Sequence, residues 1–423
     1  MKPIRLRNIV LGVAQGLLIL LALYGVVRFF EWDLLYLMKD RQTSLPDTEP
    51  IDFSPAPDAT RWPLPQRGLR PKNVILFLGD GMGFSQVAAA RFALHGAHQK
   101  LFFERFPVVS PMTTFGPDSL YTDSAAGATA LATGFKTDPG AIAVDRAGAR
   151  LRSLFEAAQD RGLSTGIVTD SYLWDASPSA FAIHNNSRKA FDELVAALAK
   201  SRVDWMVGTT DDRYDAIAAL DALDQPVITD WRDLTSSGAQ GEPVIALFDE
   251  ETIADPEHEP NLPALTELTL LRLSRNPQGF VAFIETEDPD TGSHRHELDR
   301  VVRGVGQLEE AVRRAVVWAE SEATIPQDPA PATDGDEKRT SEPARAGTLI
   351  LVTADHETSG LTVVSGSVRR PLTVQWATDG HTGEPVPLYA WGPGAERFSG
   401  ALDNTEIAGI LADLLGLDWT AAR

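Results

Sequence analysis

From Asn73 onward, short apolar runs alternate with helical patterns, and nothing else in the sequence narrows the fold as much. Val74–Leu78, Thr165–Val168, Phe280–Ile284 and Thr348–Val352 are the clearest predicted strands. Predicted helices cover Ser85–His98, Leu151–Arg161, Arg188–Lys200 and Leu298–Glu320, the last with Val301, Val305, Leu308 and Val312 at helical spacing. Strands separated by helices predict an α/β fold, a mainly parallel central sheet sandwiched by helices.

The residues just past each strand carry the chemistry. Val74–Leu78 runs into Gly79-Asp80-Gly81, Phe280–Ile284 into Glu285-Thr286-Glu287-Asp288, and Thr348–Val352 into Thr353-Ala354-Asp355-His356. Strands of a parallel sheet share one direction, so their C-terminal ends lie on one edge, where open α/β sheets hold ligands. Acids gathered there repel one another unless cations sit among them. One acid after a strand is most simply a helix cap or a solvated loop. Three with histidines beside them point to a metal centre.

The chain has 8 histidines, and three fall in or near these segments. Asp290 and His294 are four residues apart, Asp355 and His356 are adjacent, and His381 lies in a similar loop. Carboxylate with imidazole suits zinc, whereas Glu285 or a hydroxyl suits a harder ion such as magnesium. His95, His98, His184, His258 and His296 are expected to be structural. Ser124 is the candidate nucleophile: it follows Asp123 and opens a run of small residues, Ala125-Ala126-Gly127-Ala128-Thr129-Ala130. Such a run favours a helix starting near Ser124, whose N-terminal N–H groups and dipole would stabilise an anion. An Asp-Ser pair at that place is also a common helix cap. No histidine is near Ser124 in sequence, so its activation requires the acidic cluster and a metal.

Charge and composition remove several functions. Lys plus Arg is 38 against 59 for Asp plus Glu, a formal net charge of -21, which repels a phosphate backbone and argues against a nucleic-acid partner. The absence of cysteine removes disulfides, thiolate metal sites and cysteine nucleophiles.

The N-terminus is predicted to be a membrane segment. Ile9 to Val27 carries no charge. At about 1.5 Å per residue it just crosses a hydrocarbon core of roughly 30 Å. Lys2, Arg5 and Arg7 precede it and Glu31, Asp33 and Asp40 follow it, which places residues 1–8 in the cytoplasm, a signal-anchor helix over 9–28, and the remainder outside. A cleavable signal peptide is the competing reading, but the bulky Tyr24, Phe29 and Phe30 offer no small-x-small cleavage site. Residues 29–71 read as a linker rich in proline towards its end, 72–423 as the catalytic domain, and 323–346, rich in Pro, Ala, Asp and Glu, as a disordered insertion within it.

Val74-Ile75-Leu76-Phe77-Leu78-Gly79-Asp80-Gly81-Met82-Gly83, Asp123-Ser124-Ala125-Ala126, Thr353-Ala354-Asp355-His356-Glu357 and His381-Thr382-Gly383 together resemble, in order and spacing, the alkaline phosphatase family. The resemblance covers Asn73 to the C-terminus. It implies one zinc held by Asp290, His294 and His381, and a second held by Asp80, Asp355 and His356 facing the nucleophile Ser124. It implies a magnesium held by Asp80, Asp175, Ser177 and Glu285, an Arg188 that clamps phosphoryl oxygens, and an Asp123 that steadies Arg188. The implied activity is hydrolysis of small phosphate monoesters through a phosphoserine, by a membrane-anchored domain in the periplasm or at the cell surface; a homodimer is the assembly common among relatives. Thr291 departs from the resemblance, standing where relatives often carry lysine, histidine or tryptophan, and Asp175 stands where many have histidine. Two alternatives remain. One is a metal-dependent phosphodiesterase of the same superfamily, and the other is a non-catalytic, membrane-tethered protein that binds metal or phosphate.

Overall fold

The computed structural model describes residues 41–45, 62, 68–237, 243–324, 347–367 and 370–419. The chain divides into two compact units, 1–43 and 44–423, and of the first only 41–43 are described. The expected N-terminal segment 1–8 and span 9–28 lie outside the described residues, as do most of the linker and residues 325–346. Among the described residues no helix is long and apolar enough to cross a membrane.

The second unit is built on a sheet of ten strands. In chain order they are β1 (Asn73–Gly79), β2 (Val108–Thr113), β3 (Ser164–Tyr172), β4 (Trp205–Thr209), β5 (Val227–Ile228), β6 (Val244–Phe248), β7 (Phe280–Thr286), β8 (Thr348–Thr353), β9 (Val386–Trp391) and β10 (Leu402–Asp403). Across the sheet the order is β10-β2-β9-β8-β1-β7-β3-β4-β6-β5. Only β9 runs antiparallel to its neighbours, so the sheet is mainly parallel as expected. Helices cover both faces of a parallel sheet, which is why its central strands read as unbroken apolar runs. Every residue of β1, β7 and β8 is buried.

Register explains why the acids meet. Leu78 of β1 pairs with Glu285 of β7 and with Thr353 of β8, and Glu285 pairs in turn with Thr169 of β3. The central strands therefore end level, and Asp80, Glu285 and Asp355 share one edge.

The helices that position the site are α1 (Phe84–His95), α2 (Ser124–Thr133), α3 (Ala176–Ala182), α4 (Asp288–Arg295) and α5 (Leu298–Thr324). The helix α5 buries Val301, Val305, Leu308 and Val312, the predicted stripe, each burial contributing roughly 1.5–3 kcal/mol. It runs past Glu320 to Thr324, so the first residues of the expected insertion are helical. A short antiparallel pair, Glu357–Thr358 with His381–Thr382, carries His381 to the site.

The helix expected over Ser85–His98 covers Phe84–His95, that over Leu151–Arg161 covers Leu154–Asp160, and a third boundary bears on the site. The helix predicted over Arg188–Lys200 covers Phe191–Ala199 instead. Asn185 Oδ1 accepts the Ser187 N–H at 2.9 Å and Ser187 Oγ the Lys189 N–H at 3.2 Å. These local turns compete with helix formation, and they leave Arg188 on a loop where its side chain reaches Asp123 and Asp175.

Candidate active site

Ser124 opens α2 with Asp123 as its N-cap, the Asp123 carboxylate accepting from the Ala126 N–H at 3.1 Å. A β-carbon on Gly127 would lie 2.8 Å from the Asp355 carbonyl oxygen. The glycine in this alanine-rich helix is therefore what lets α2 lie against the end of β8.

Two sets of donors converge beside this serine. In the first, His356 Nε2 lies 3.4 Å from Asp80 Oδ1, 3.3 Å from Asp355 Oδ2 and 3.3 Å from Ser124 Oγ. In the second, His294 Nε2 lies 3.3 Å from Asp290 Oδ2 and 3.1 Å from His381 Nε2, and His381 Nε2 is 3.6 Å from Asp290 Oδ1. The His356 and His381 rings stack with centroids 3.7 Å apart, joining the sets, and Asp290, His356 and His381 also form a close trio. The fold thus brings the residues of each expected trio close to one another.

Side-chain tautomers test whether the donors suit metal ions. His294 Nδ1 donates to the Asp379 carbonyl and His381 Nδ1 to the Thr122 carbonyl, each at 2.6 Å. In neutral rings each Nε2 then carries the lone pair, and the two lie 3.1 Å apart beside Asp290. His356 Nδ1 donates to Thr358 Oγ1, which itself donates to Asp290 Oδ1, so His356 Nε2 is also bare and faces two acids. Asp80 Oδ1 and Asp355 Oδ2 are buried without a hydrogen-bond donor. Lone pairs and buried carboxylate oxygens that face one another suit a cation, and the carbonyl-held imidazole is the usual metal-binding arrangement. The residues fit zinc.

The electrostatics agree. Burial, then the charge of Asp355 and other neighbouring acids, pushes the Asp80 carboxyl well above its usual range. Burial and Asp290 lift Asp355 to about 7. Glu285 is raised by burial despite the Thr169 hydroxyl it accepts at 2.7 Å. Burial keeps the His356 imidazole neutral. Burial also opposes ionisation of Asp290, but the surrounding imidazoles outweigh it and hold that carboxyl low.

The third set is looser. Ser177 Oγ is buried and without a donor or acceptor, as a ligand awaiting an ion would be, and Glu285 stands at the same strand ends. Asp175 does not join either close set. Its Oδ1 accepts from Arg188 Nη2 at 2.8 Å and from the Ala176 N–H at 2.7 Å, and its Oδ2 from Ser171 Oγ at 2.9 Å. Arg188 Nη1 reaches Asp123 Oδ2 at 3.4 Å. Thr358, Thr169 and Ser171 carry no signal in the sequence that marks them for the site, and Glu357 enters the sequence reading only as the last residue of a motif, without a role. Glu357, buried beside His356, accepts from Gln86 Nε2 at 2.9 Å and from the Thr382 hydroxyl, tying the loop of one ligand to the strand of another.

The family model for alkaline phosphatase matches residues 71–207, 207–326 and 365–417. The chain belongs to the alkaline phosphatase family. It is 28% identical to alkaline phosphatase 3 of Bacillus subtilis over 80% of this chain and 87% of that protein. It is also 28% identical to the streptomycin-6-phosphate phosphatase of Streptomyces griseus, over 82% and 91% of the two chains. Among solved alkaline phosphatases, the cold-active enzyme of a Shewanella species superposes with a TM-score of 0.69 at 26% identity, covering 81% of this chain and 99% of that one. A variant of the alkaline phosphatase from the Antarctic bacterium TAB5, solved with Mg bound in its M3 site, superposes with a TM-score of 0.68 at 25% identity, covering 83% and 99%. An alkaline phosphatase of this α/β architecture thus accounts for nearly the whole second unit.

Proposed function

We propose that this enzyme hydrolyses phosphate monoesters through a phosphoserine on Ser124, with two zinc ions and one magnesium ion. The reading is carried by Ser124 Oγ, set at the N-terminus of α2 and 3.3 Å from the bare Nε2 of His356. Asp80, Asp355 and His356 would hold one zinc and Asp290, His294 and His381 the other. Asp80, Ser177 and Glu285 would hold magnesium, with Asp175 beside them. Bound there, the ions supply Lewis acidity, favouring ionised oxygen nucleophiles and a negatively charged leaving oxygen.

The chain's own groups do the rest. Ser124 Oγ bonds to phosphorus as the ester oxygen departs on the opposite side, and water then displaces Ser124 to release phosphate. The N-terminal N–H groups of α2 point at the phosphoryl oxygens. Arg188, whose charge Asp175 reinforces against burial, presents its remaining N–H groups to two of those oxygens. Asp123, held by the Ala126 N–H and by the Gly140 N–H at 2.9 Å, steadies that guanidinium.

Metal analysis of the purified protein, with p-nitrophenyl phosphate turnover before and after chelation, tests the cofactors. Ser124→Ala is expected to abolish the phosphoserine seen by mass spectrometry and to slow turnover by at least about 10³-fold. Wild-type turnover in that variant would end the assignment. Faster turnover of an aryl diester than of the monoester would favour the phosphodiesterase, and phosphate binding without hydrolysis would favour the pure binder.

We further infer a signal anchor over 9–28, which would tether the domain outside the cytoplasmic membrane. The uncharged run after Lys2, Arg5 and Arg7 supports it. Membrane fractionation tests the anchor. Solution mass measurement tests the homodimer suggested by family resemblance.

A further inference from the structure

We propose that Ser171 positions the phosphate-binding Arg188 by holding the carboxylate of Asp175, a role that rests on the function proposed above. Ser171 is 2% exposed and Asp175 is 7% exposed. The Ser171 hydroxyl donates to Asp175 Oδ2 at 2.9 Å, while Oδ1 takes Arg188 Nη2 and the Ala176 N–H. Each carboxylate that grips the guanidinium is itself fixed. Asp123 is held by two backbone N–H groups, whereas Asp175 has one backbone donor, this serine and the neighbouring Tyr172 phenol. A register irregularity between Val168 and Tyr172, near the end of β3, accompanies the arrangement. There Asp170 turns to accept the Glu287 N–H at 2.6 Å, and Ser171 turns to Asp175.

Ser171 is anchored in its turn. Its N–H donates to Thr169 Oγ1 at 3.0 Å, and that hydroxyl donates to Glu285 Oε2. The chain of hydrogen bonds thus runs from Glu285 through Thr169, Ser171, Asp175, Arg188 and Asp123 to the first turn of α2. Without the Ser171 hydroxyl, Oδ2 loses its 2.9 Å donor and the carboxylate is left with the neighbouring Tyr172 phenol as its side-chain support besides Arg188. The carboxylate then gains by turning both oxygens onto Arg188, drawing N–H groups away from phosphate. Ser171 also commits Asp175 to the arginine, leaving Asp80, Ser177 and Glu285 as the groups free for magnesium.

The test uses the full chain with its metals, p-nitrophenyl phosphate as substrate and inorganic phosphate as inhibitor. Ser171→Ala should raise KM and the phosphate inhibition constant about fivefold, while kcat changes less than about twofold and metal content is unchanged. Ser171→Thr, which keeps the hydroxyl, should restore both constants. In an Arg188→Lys background, Ser171→Ala should have no further effect, since it acts through the guanidinium. An unchanged phosphate constant, an equal effect in the Arg188→Lys background, or loss of metal would each overturn the role. If the alanine variant does not fold, Ser171→Cys, which keeps the size but donates weakly, is read in the same way. A wild-type enzyme that neither binds phosphate nor turns over the ester would overturn the function itself, and this role with it.

Discussion

Asp288 and Asp355 are buried aspartates at the same edge of the sheet, one just past β7 and the other just past β8, yet they meet different partners. Asp288 lies 2.7 Å from Arg300 Nε and 2.8 Å from Arg303 Nε, both contributed by α5. Asp355 is fully buried with Asp80 and Asp290 as neighbours, and its Oδ2 has no donor. The fold supplies cations to the first aspartate and withholds them from the second. The difference separates structural acids from acids kept for an external ion, although their sequence settings look alike.

Removing metal should break that contrast most visibly. Chelation is expected to abolish turnover and to lower Tm by about 10 °C, since an ion present at about 1,000 times its Kd stabilises by roughly 4 kcal/mol. Calorimetry with and without chelator checks the shift. The same Tm in both would mean that the clustered acids need no ion.

A second comparison is made on metal-free protein by urea unfolding. Asp288→Asn should cost about 3–5 kcal/mol by leaving two arginines without their carboxylate. Asp355→Asn should cost nothing, or stabilise by about 1 kcal/mol, because it removes a like charge from a crowded site. Equal destabilisation by the two would show that Asp355 is balanced from within.

A smaller loss of stability than that of Asp288→Asn is expected at a third acid, Glu156. Glu156 lies 3.2 Å from His184 Nε2 and 3.0 Å from Arg150 Nη2. Burial raises its carboxyl, but the His184 hydrogen bond and the Ser153 N–H outweigh this and bring it from 4.5 to about 2. A depressed acid stabilises the fold above its ordinary range and loses that contribution as pH falls from about 4.5 towards 2. Glu156→Gln should therefore be less stable than wild type by about 2 kcal/mol at pH 7, the gap closing near pH 2. A gap independent of pH would assign the pair to packing rather than charge.

Much of the site was legible because its determinants are local or depend only on strand direction. Acids placed just after apolar runs had to share an edge once the strands were parallel. Asp290 and His294, four apart, had to face the same way once Asp288–Arg295 was helical. Asp123 before an alanine-rich run had to cap it. Helical periodicity misplaces the boundary at Arg188 because it does not register the Asn185 and Ser187 side chains that take up backbone N–H groups. The partners of the ligands were not legible at all. Thr358 lies 68 residues from Asp290 in sequence, and Ser171 is an ordinary hydroxyl at a strand end.

The amino-acid order by itself determined the α/β layers, the edge on which the chemistry would gather, and the residue types that gather there, because periodicity and chain direction are properties of consecutive residues. Tertiary structure decided which imidazole nitrogen is left bare, which carboxylate receives an arginine and which is left for an ion. Those choices depend on hydrogen bonds between segments far apart in the chain, such as His381 Nδ1 to the Thr122 carbonyl, which no pattern of consecutive residues records.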